Sequence, residues 1–82
     1  MLSQPKPLKN VRDAALETQK IIDNHNLAAR HHEAAAQFHY EAARLQISGN
    51  SDQACGCNIK AIGATKKAQK AQSKILKKHL LL

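Results

Sequence analysis

The chain has 82 residues, a formal net charge of +7 at pH 7 and only two aromatic residues, one Phe and one Tyr. This composition limits it to one domain and excludes a thick globular core. A chain this small usually gains stability from disulfides, a metal ion or self-association. Its two cysteines, Cys55 and Cys57, point apart on a helix and cannot bridge one another. Self-association is therefore the predicted source of stability.

The sequence carries no obvious targeting signal. Its first ten residues lack the apolar run of a signal peptide, and no stretch approaches the ~20 apolar residues that span a bilayer. We therefore predict a cytoplasmic protein without a transmembrane segment, and with both thiols reduced.

Residues 1–9 are predicted to form an extended lead-in, because Pro5 and Pro7 restrict their own backbone and that of the residue before each. A helical hairpin over residues 10–82 follows. Asn10 is suited to the N-cap of the first helix, and the carboxylate of Asp13 suits the positive end of its dipole.

The positions of the helix-breaking residues predict where the two helices of the hairpin begin and end. Residues 11–47 contain no Gly or Pro and predict one helix ~55 Å long at 1.5 Å per residue. Residues 48–51 predict the turn, because Gly49 suits a left-handed backbone and Asn50 can cap the next helix. The second helix is predicted over residues 52–79.

A seven-residue repeat runs through the first helix. Its first two positions are Ala14-Ala15, Ile21-Ile22, Ala28-Ala29, Ala35-Ala36 and Ala42-Ala43, and its fifth position holds His25, His32 and His39. Such a repeat places one stripe along a helix, which a partner helix must cover. We interpret the three histidines as polar residues of this seam, hydrogen-bonded across it and fixing the register.

The second helix carries a matching stripe of small residues, namely Ala54, Cys57, Ala61, Ala64, Ala68, Ala71 and Ile75. Folding at the turn sets Ala61 near Phe38, so small residues meet and the helices can approach closely. We expect Gly56 and Gly63 to serve this close approach. The predicted fold is all-α, a long antiparallel two-helix hairpin.

The first helix has more apolar surface than one neighbour covers, because Leu27, Ala34, Phe38 and Leu45 lie beside the Ala-Ala pairs. A homodimer forming a four-helix bundle would cover both sides. The alternative is a monomeric, Ala-rich hairpin of marginal stability.

Two resemblances follow from these residues. The turn Gly49-Asn50 with Ala54 and Ala61 resembles the turn and second helix of a tetratricopeptide repeat. Over a longer stretch, the chain resembles small bacterial His- and Ala-rich proteins of unknown role. That likeness rests on His31-His32-Glu33-Ala34-Ala35, Glu41-Ala42-Ala43, Gly49, Ala54, Ala61 and Gly63. The resemblance implies a helical hairpin; in such relatives the second half is rich in histidine, whereas this chain has Cys55 and Cys57.

The histidines are candidate metal ligands. None has a His, Cys, Asp or Glu three or four residues away, so a single helix offers no site. The hairpin register brings His39 near Cys57, and two chains would then supply two histidines and two cysteines to zinc or copper.

We find no support for catalysis, because no nucleophile has a neighbouring base and no phosphate-binding loop is present.

The charge of the second helix gives a different hypothesis. The second helix holds seven lysines against Asp52, namely Lys60, Lys66, Lys67, Lys70, Lys74, Lys77 and Lys78. This excess of positive charge predicts that the second helix binds a polyanion, either nucleic acid or an anionic membrane. The sequence therefore predicts a non-enzymatic structural or interaction module, with metal binding and polyanion binding as alternatives.

Overall fold

The computed structural model describes residues 11–81, which form two α-helices, α1 (Val11–Ile47) and α2 (Ser51–Leu81). The helices pack along their length as an antiparallel hairpin, which confirms the predicted all-α hairpin. Helix α2 begins one residue before the predicted start and ends two residues beyond the predicted end. The expected lead-in over residues 1–9 and the N-cap at Asn10 lie outside the described residues. Neither helix is long and apolar enough to cross a membrane.

The turn explains why α1 stops and α2 starts. Gly49 has a φ of +87°, the left-handed backbone that glycine adopts without a steric penalty. Its N–H donates to the carbonyl of Gln46 at 3.1 Å, and the N–H of Asn50 donates to the carbonyl of Leu45 at 2.8 Å. These two bonds form a Schellman motif, which satisfies the last carbonyls of α1. The carbonyl of Asn50 then accepts the first bond of α2, from the N–H of Ala54.

The hairpin is a single layer of two helices. It extends over 68 × 21 × 10 Å, and its smallest dimension equals the diameter of one helix. Within residues 11–81, each helix therefore has one neighbour, and the two broad faces of the hairpin are open. The core is confined to the line along which α1 and α2 meet.

This core consists of seven alanines and one isoleucine. Its buried members are Ala28, Ala35, Ala54, Ala61, Ala64, Ala68, Ala71 and Ile75. An alanine methyl contributes far less hydrophobic stabilisation than the ~1.5–3 kcal/mol of a fully buried Leu or Ile. The seam between the helices therefore stabilises the hairpin weakly for its length.

No Ala-Ala pair places both members in this seam, and Ala14 and Ala15 are both exposed. Ala28 and Ala35 are buried, whereas Ala29 and Ala36 are exposed. Adjacent helical residues project about 100° apart, and one neighbouring helix covers a narrower arc than both positions span. The structure therefore separates two columns that the repeat had placed together.

The helical glycines do not mark a close backbone approach, and the expectation for Gly56 and Gly63 was wrong. A Cβ built at either position meets no atom within 4 Å outside its own helix backbone. The side chains at the seam, rather than these glycines, set the helix separation.

Alanine at Gly56 is expected to raise the free energy of unfolding by up to ~1 kcal/mol, because alanine is the better helix former and has room. Alanine at Gly49 is expected to lower it by ~1–2 kcal/mol, since φ of +87° strains an L-residue. Urea unfolding followed by circular dichroism measures both. A destabilising Gly56→Ala would indicate a contact at that site.

Candidate functional site

The seam leaves one groove on each broad face, and the seven-residue repeat explains which residues line them. We count Ala14 as the first position of the repeat in α1 and Ala54 as the first position in α2. One groove is lined by the fourth and seventh positions of α1 and by the third, fourth and seventh positions of α2. The first, second and fifth positions of both helices line the other. The two grooves therefore lie on opposite faces of the hairpin.

The first groove is basic. Six lysines line its two stretches, and we call it the basic groove: Lys20, Lys60, Lys67, Lys74, Lys77 and Lys78. Among residues 11–81, no carboxylate lines either stretch. Between the lysines, Ala34, Phe38, Gly63 and Ala64 form an apolar floor, with His31 beside it. The Nζ of Lys60 lies 5.9 Å from the centroid of the Phe38 ring, within range of a cation–π interaction.

The structure divides the predicted set of lysines. Five of the seven line the basic groove. Lys66 occupies the sixth position and lies off the groove, whereas Lys70 occupies the third position, as Lys77 does, but lines neither stretch. Lys20 lines the groove from α1. Sequence reasoning missed this residue because it considered only the charge excess of the second helix. The groove is thus built from both helices, and its charge depends on their register.

One ion pair ties the helices together beside this groove. Lys78 donates to the carboxylate of Glu17 at 2.6 Å, and Lys20 lies 3.7 Å from the other oxygen of that carboxylate. Both side chains of the Lys78 pair are largely shielded from solvent, 29% and 23% exposed. This contact joins residues 61 positions apart, so no local sequence pattern indicated it.

The second groove contains no ionic residue from the described part of the chain. It is lined by His25, Ala28, Ala29, His32, Gln72, Ile75, Leu76 and His79. The same repeat positions, followed along both helices, hold neither Lys, Arg, Asp nor Glu anywhere between residues 12 and 80. We call the second and fifth positions together the uncharged face: Ala15, Thr18, Ile22, His25, Ala29, His32, Ala36, His39, Ala43, Gln46, Ser51, Cys55, Asn58, Ile62, Thr65, Gln69, Gln72, Leu76 and His79. Charged residues make up 23% of the chain, so this exclusion separates the two faces sharply.

The predicted seam histidines lie on this uncharged face. His25, His32 and His39 are exposed in the hairpin and stand outside the seam between α1 and α2. His79 reaches the same groove from α2. A role for these histidines in a seam between two copies of the chain stays a prediction.

The repeat positions assign His39 and Cys57 to different faces of the hairpin. His39 belongs to the fifth position, whereas Cys57 shares the fourth position with Ala64. Cys57 lies near Arg44, whose pKa is raised chiefly by its hydrogen bond to Glu41 and slightly by the cysteine. Within residues 11–81, no three His, Cys, Asp or Glu side chains are placed to hold one metal ion. A zinc or copper site shared between chains stays a prediction.

Near the turn, Arg44 donates a hydrogen bond to Glu41 on the preceding turn of α1. This bond lowers the pKa of Glu41 below its ordinary value. Both side chains are exposed, so the pair is a solvated surface contact and forms no site.

Compared with known proteins, the chain has no significant match to a protein-family model, a curated protein or a solved structure. The resemblance to His- and Ala-rich bacterial proteins therefore stays an expectation from the sequence. The two faces of the hairpin are the features that bear on its function.

Proposed function

We propose that this chain is a non-catalytic helical module that associates with a second copy through the uncharged face, giving a four-helix bundle. The observation that carries the proposal is the complete exclusion of ionic residues from that face. Solvent-exposed helix positions are normally rich in Lys and Glu, whereas interface cores are depleted of charge.

Three of the eight exposed large apolar side chains of the described residues lie on the same surface. Ile22, Ile62 and Leu76 lie on the uncharged face and are 45%, 46% and 59% exposed in the single hairpin. The alanines between them leave a surface of low relief, against which a second pair of helices can pack closely. Covering this face adds the larger apolar side chains that the alanine seam lacks.

The broad face of the hairpin is large enough to form a stable interface. Helix α1 has 37 residues and is ~55 Å long at 1.5 Å per residue, so a layer 21 Å wide has a broad face of about 1,150 Å². A standard protein interface buries ~800 Å² on each partner. A two-fold contact over about 70% of this face would therefore reach the area of a stable complex, and each residue would contribute twice.

The open form of both grooves supports a non-catalytic role. Small-molecule sites are concave and bury most of their ligand. The grooves on the two faces of this hairpin are open to solvent rather than enclosed. They suit contact with a long partner better than enclosure of a small substrate.

Light scattering with circular dichroism tests the proposal. At tens of micromolar protein and neutral pH, we expect a mass of about 18 kDa, twice the chain mass of 9.0 kDa, and helicity that falls on dilution as the dimer dissociates. A fully helical species of single-chain mass at these concentrations would contradict it.

A further inference from the structure

Beyond self-association, we infer that the basic groove binds single-stranded nucleic acid without reading its sequence. The lysines contact the phosphates, and the apolar floor receives bases that a single strand leaves accessible. The inference rests on the charge of the groove, its straight geometry and the composition of its floor.

The charge of the groove is largely uncompensated. Lys78 and Lys20 share the carboxylate of Glu17. Lys67, Lys74 and Lys77 form no ion pair with any residue in the described part of the chain. A concave surface with one sign of charge raises the local concentration of an oppositely charged ligand. A chain of phosphates is such a ligand.

The geometry favours a linear ligand. Lys60, Lys67 and Lys74 repeat every seven residues, so they rise by ~10.5 Å at each step along the same side of α2. From Lys60 to Lys77 the line is ~25 Å long. Lys20 faces part of this line from α1. A flexible polymer can follow this straight row over several phosphates.

The floor favours nucleic acid over a bare phosphate polymer. Ala34, Phe38 and Ala64 present apolar surface between the lysines, and single-strand binders seat bases on such surfaces while cations follow the backbone. A duplex keeps its bases stacked inside the double helix, so they cannot contact the apolar floor. The groove lacks arginine and a series of aromatic rings among its described residues, so base-specific contacts are not expected.

The groove remains accessible in the proposed dimer. It occupies the face opposite the uncharged face, so a four-helix bundle would carry one basic groove on each outer side. Nucleic-acid binding and self-association can therefore be tested separately, and failure of one leaves the other standing.

Fluorescence anisotropy with a labelled 20-nucleotide oligothymidylate, measured between 50 and 200 mM NaCl, tests the inference. The double variant Lys67→Gln/Lys74→Gln is expected to weaken binding at least tenfold at 50 mM NaCl. It should also reduce the slope of log K against log salt by ~1.4, or ~0.7 for each phosphate that a lysine no longer neutralises. Both positions are exposed, and circular dichroism verifies that the variant stays helical.

The matched control removes two charges outside the groove. Arg12 and Lys66 occupy the sixth position of the repeat, which lines neither groove, and both are exposed. Arg12→Gln/Lys66→Gln has the same net charge as the groove variant and should keep the slope of the wild type. Three results would overturn the inference: no binding at 50 mM NaCl, equal weakening by both variants, or tighter binding of a 20-base-pair duplex, polyphosphate or anionic phosphatidylserine vesicles than of the oligothymidylate.

Discussion

The substitution Ala36→Glu is expected to dissociate the proposed dimer, raising its Kd at least a hundredfold. Ala36 is exposed in the single hairpin and lies on the uncharged face, so two copies of the interface would bury two carboxylates without a cation nearby. A buried charge without a partner costs several kcal/mol. About 2.7 kcal/mol is already enough for a hundredfold change in Kd. Sedimentation equilibrium over a range of protein concentrations measures the effect.

The neighbouring residue provides the control for this experiment. Gln37 is exposed on the same helix but lies off the uncharged face, so Gln37→Glu adds the same charge beside Ala36 in sequence. Its Kd should stay within about threefold of the wild type, the scale of surface electrostatic effects. Similar effects of the two substitutions would contradict the uncharged face as the interface.

The triple substitution His25→Lys/His32→Lys/His39→Lys is expected to weaken self-association at least a hundredfold. The uncharged face holds four histidines, His25, His32, His39 and His79. The substitution brings six positive charges into a two-fold interface that offers no carboxylate, and a buried charge without a partner costs several kcal/mol. Sedimentation equilibrium at neutral pH measures the change in Kd.

Two variants control for this effect. The triple substitution His25→Gln/His32→Gln/His39→Gln keeps neutral polar groups on the face and should remain largely dimeric. His31→Lys adds a positive charge to the basic groove instead, and should keep the Kd of the wild type. Unchanged association of the triple lysine variant would show that the three histidines lie outside any interface.

Local chemistry made the helices and the turn predictable from the sequence. The absence of Gly and Pro over residues 11–47 indicates one long helix, and Gly49 with Asn50 supplies the backbone conformation and hydrogen bonds that end it. The hairpin register was also close, because the turn sets it: the expected partner of Phe38 was Ala61, and Lys60 lies over the ring. These features depend on residues adjacent in sequence or on the length of the turn.

The tertiary structure decided which residues share a face. The repeat grouped Ala35 with Ala36, but the angle at which α2 meets α1 buries the first and exposes the second. The same angle places the histidines opposite the basic groove and brings Lys20 and Glu17 to α2. Repeat spacing gives the relative direction of side chains within one helix. The direction in which that helix faces its neighbour depends on packing between distant residues, and only their contacts determine it.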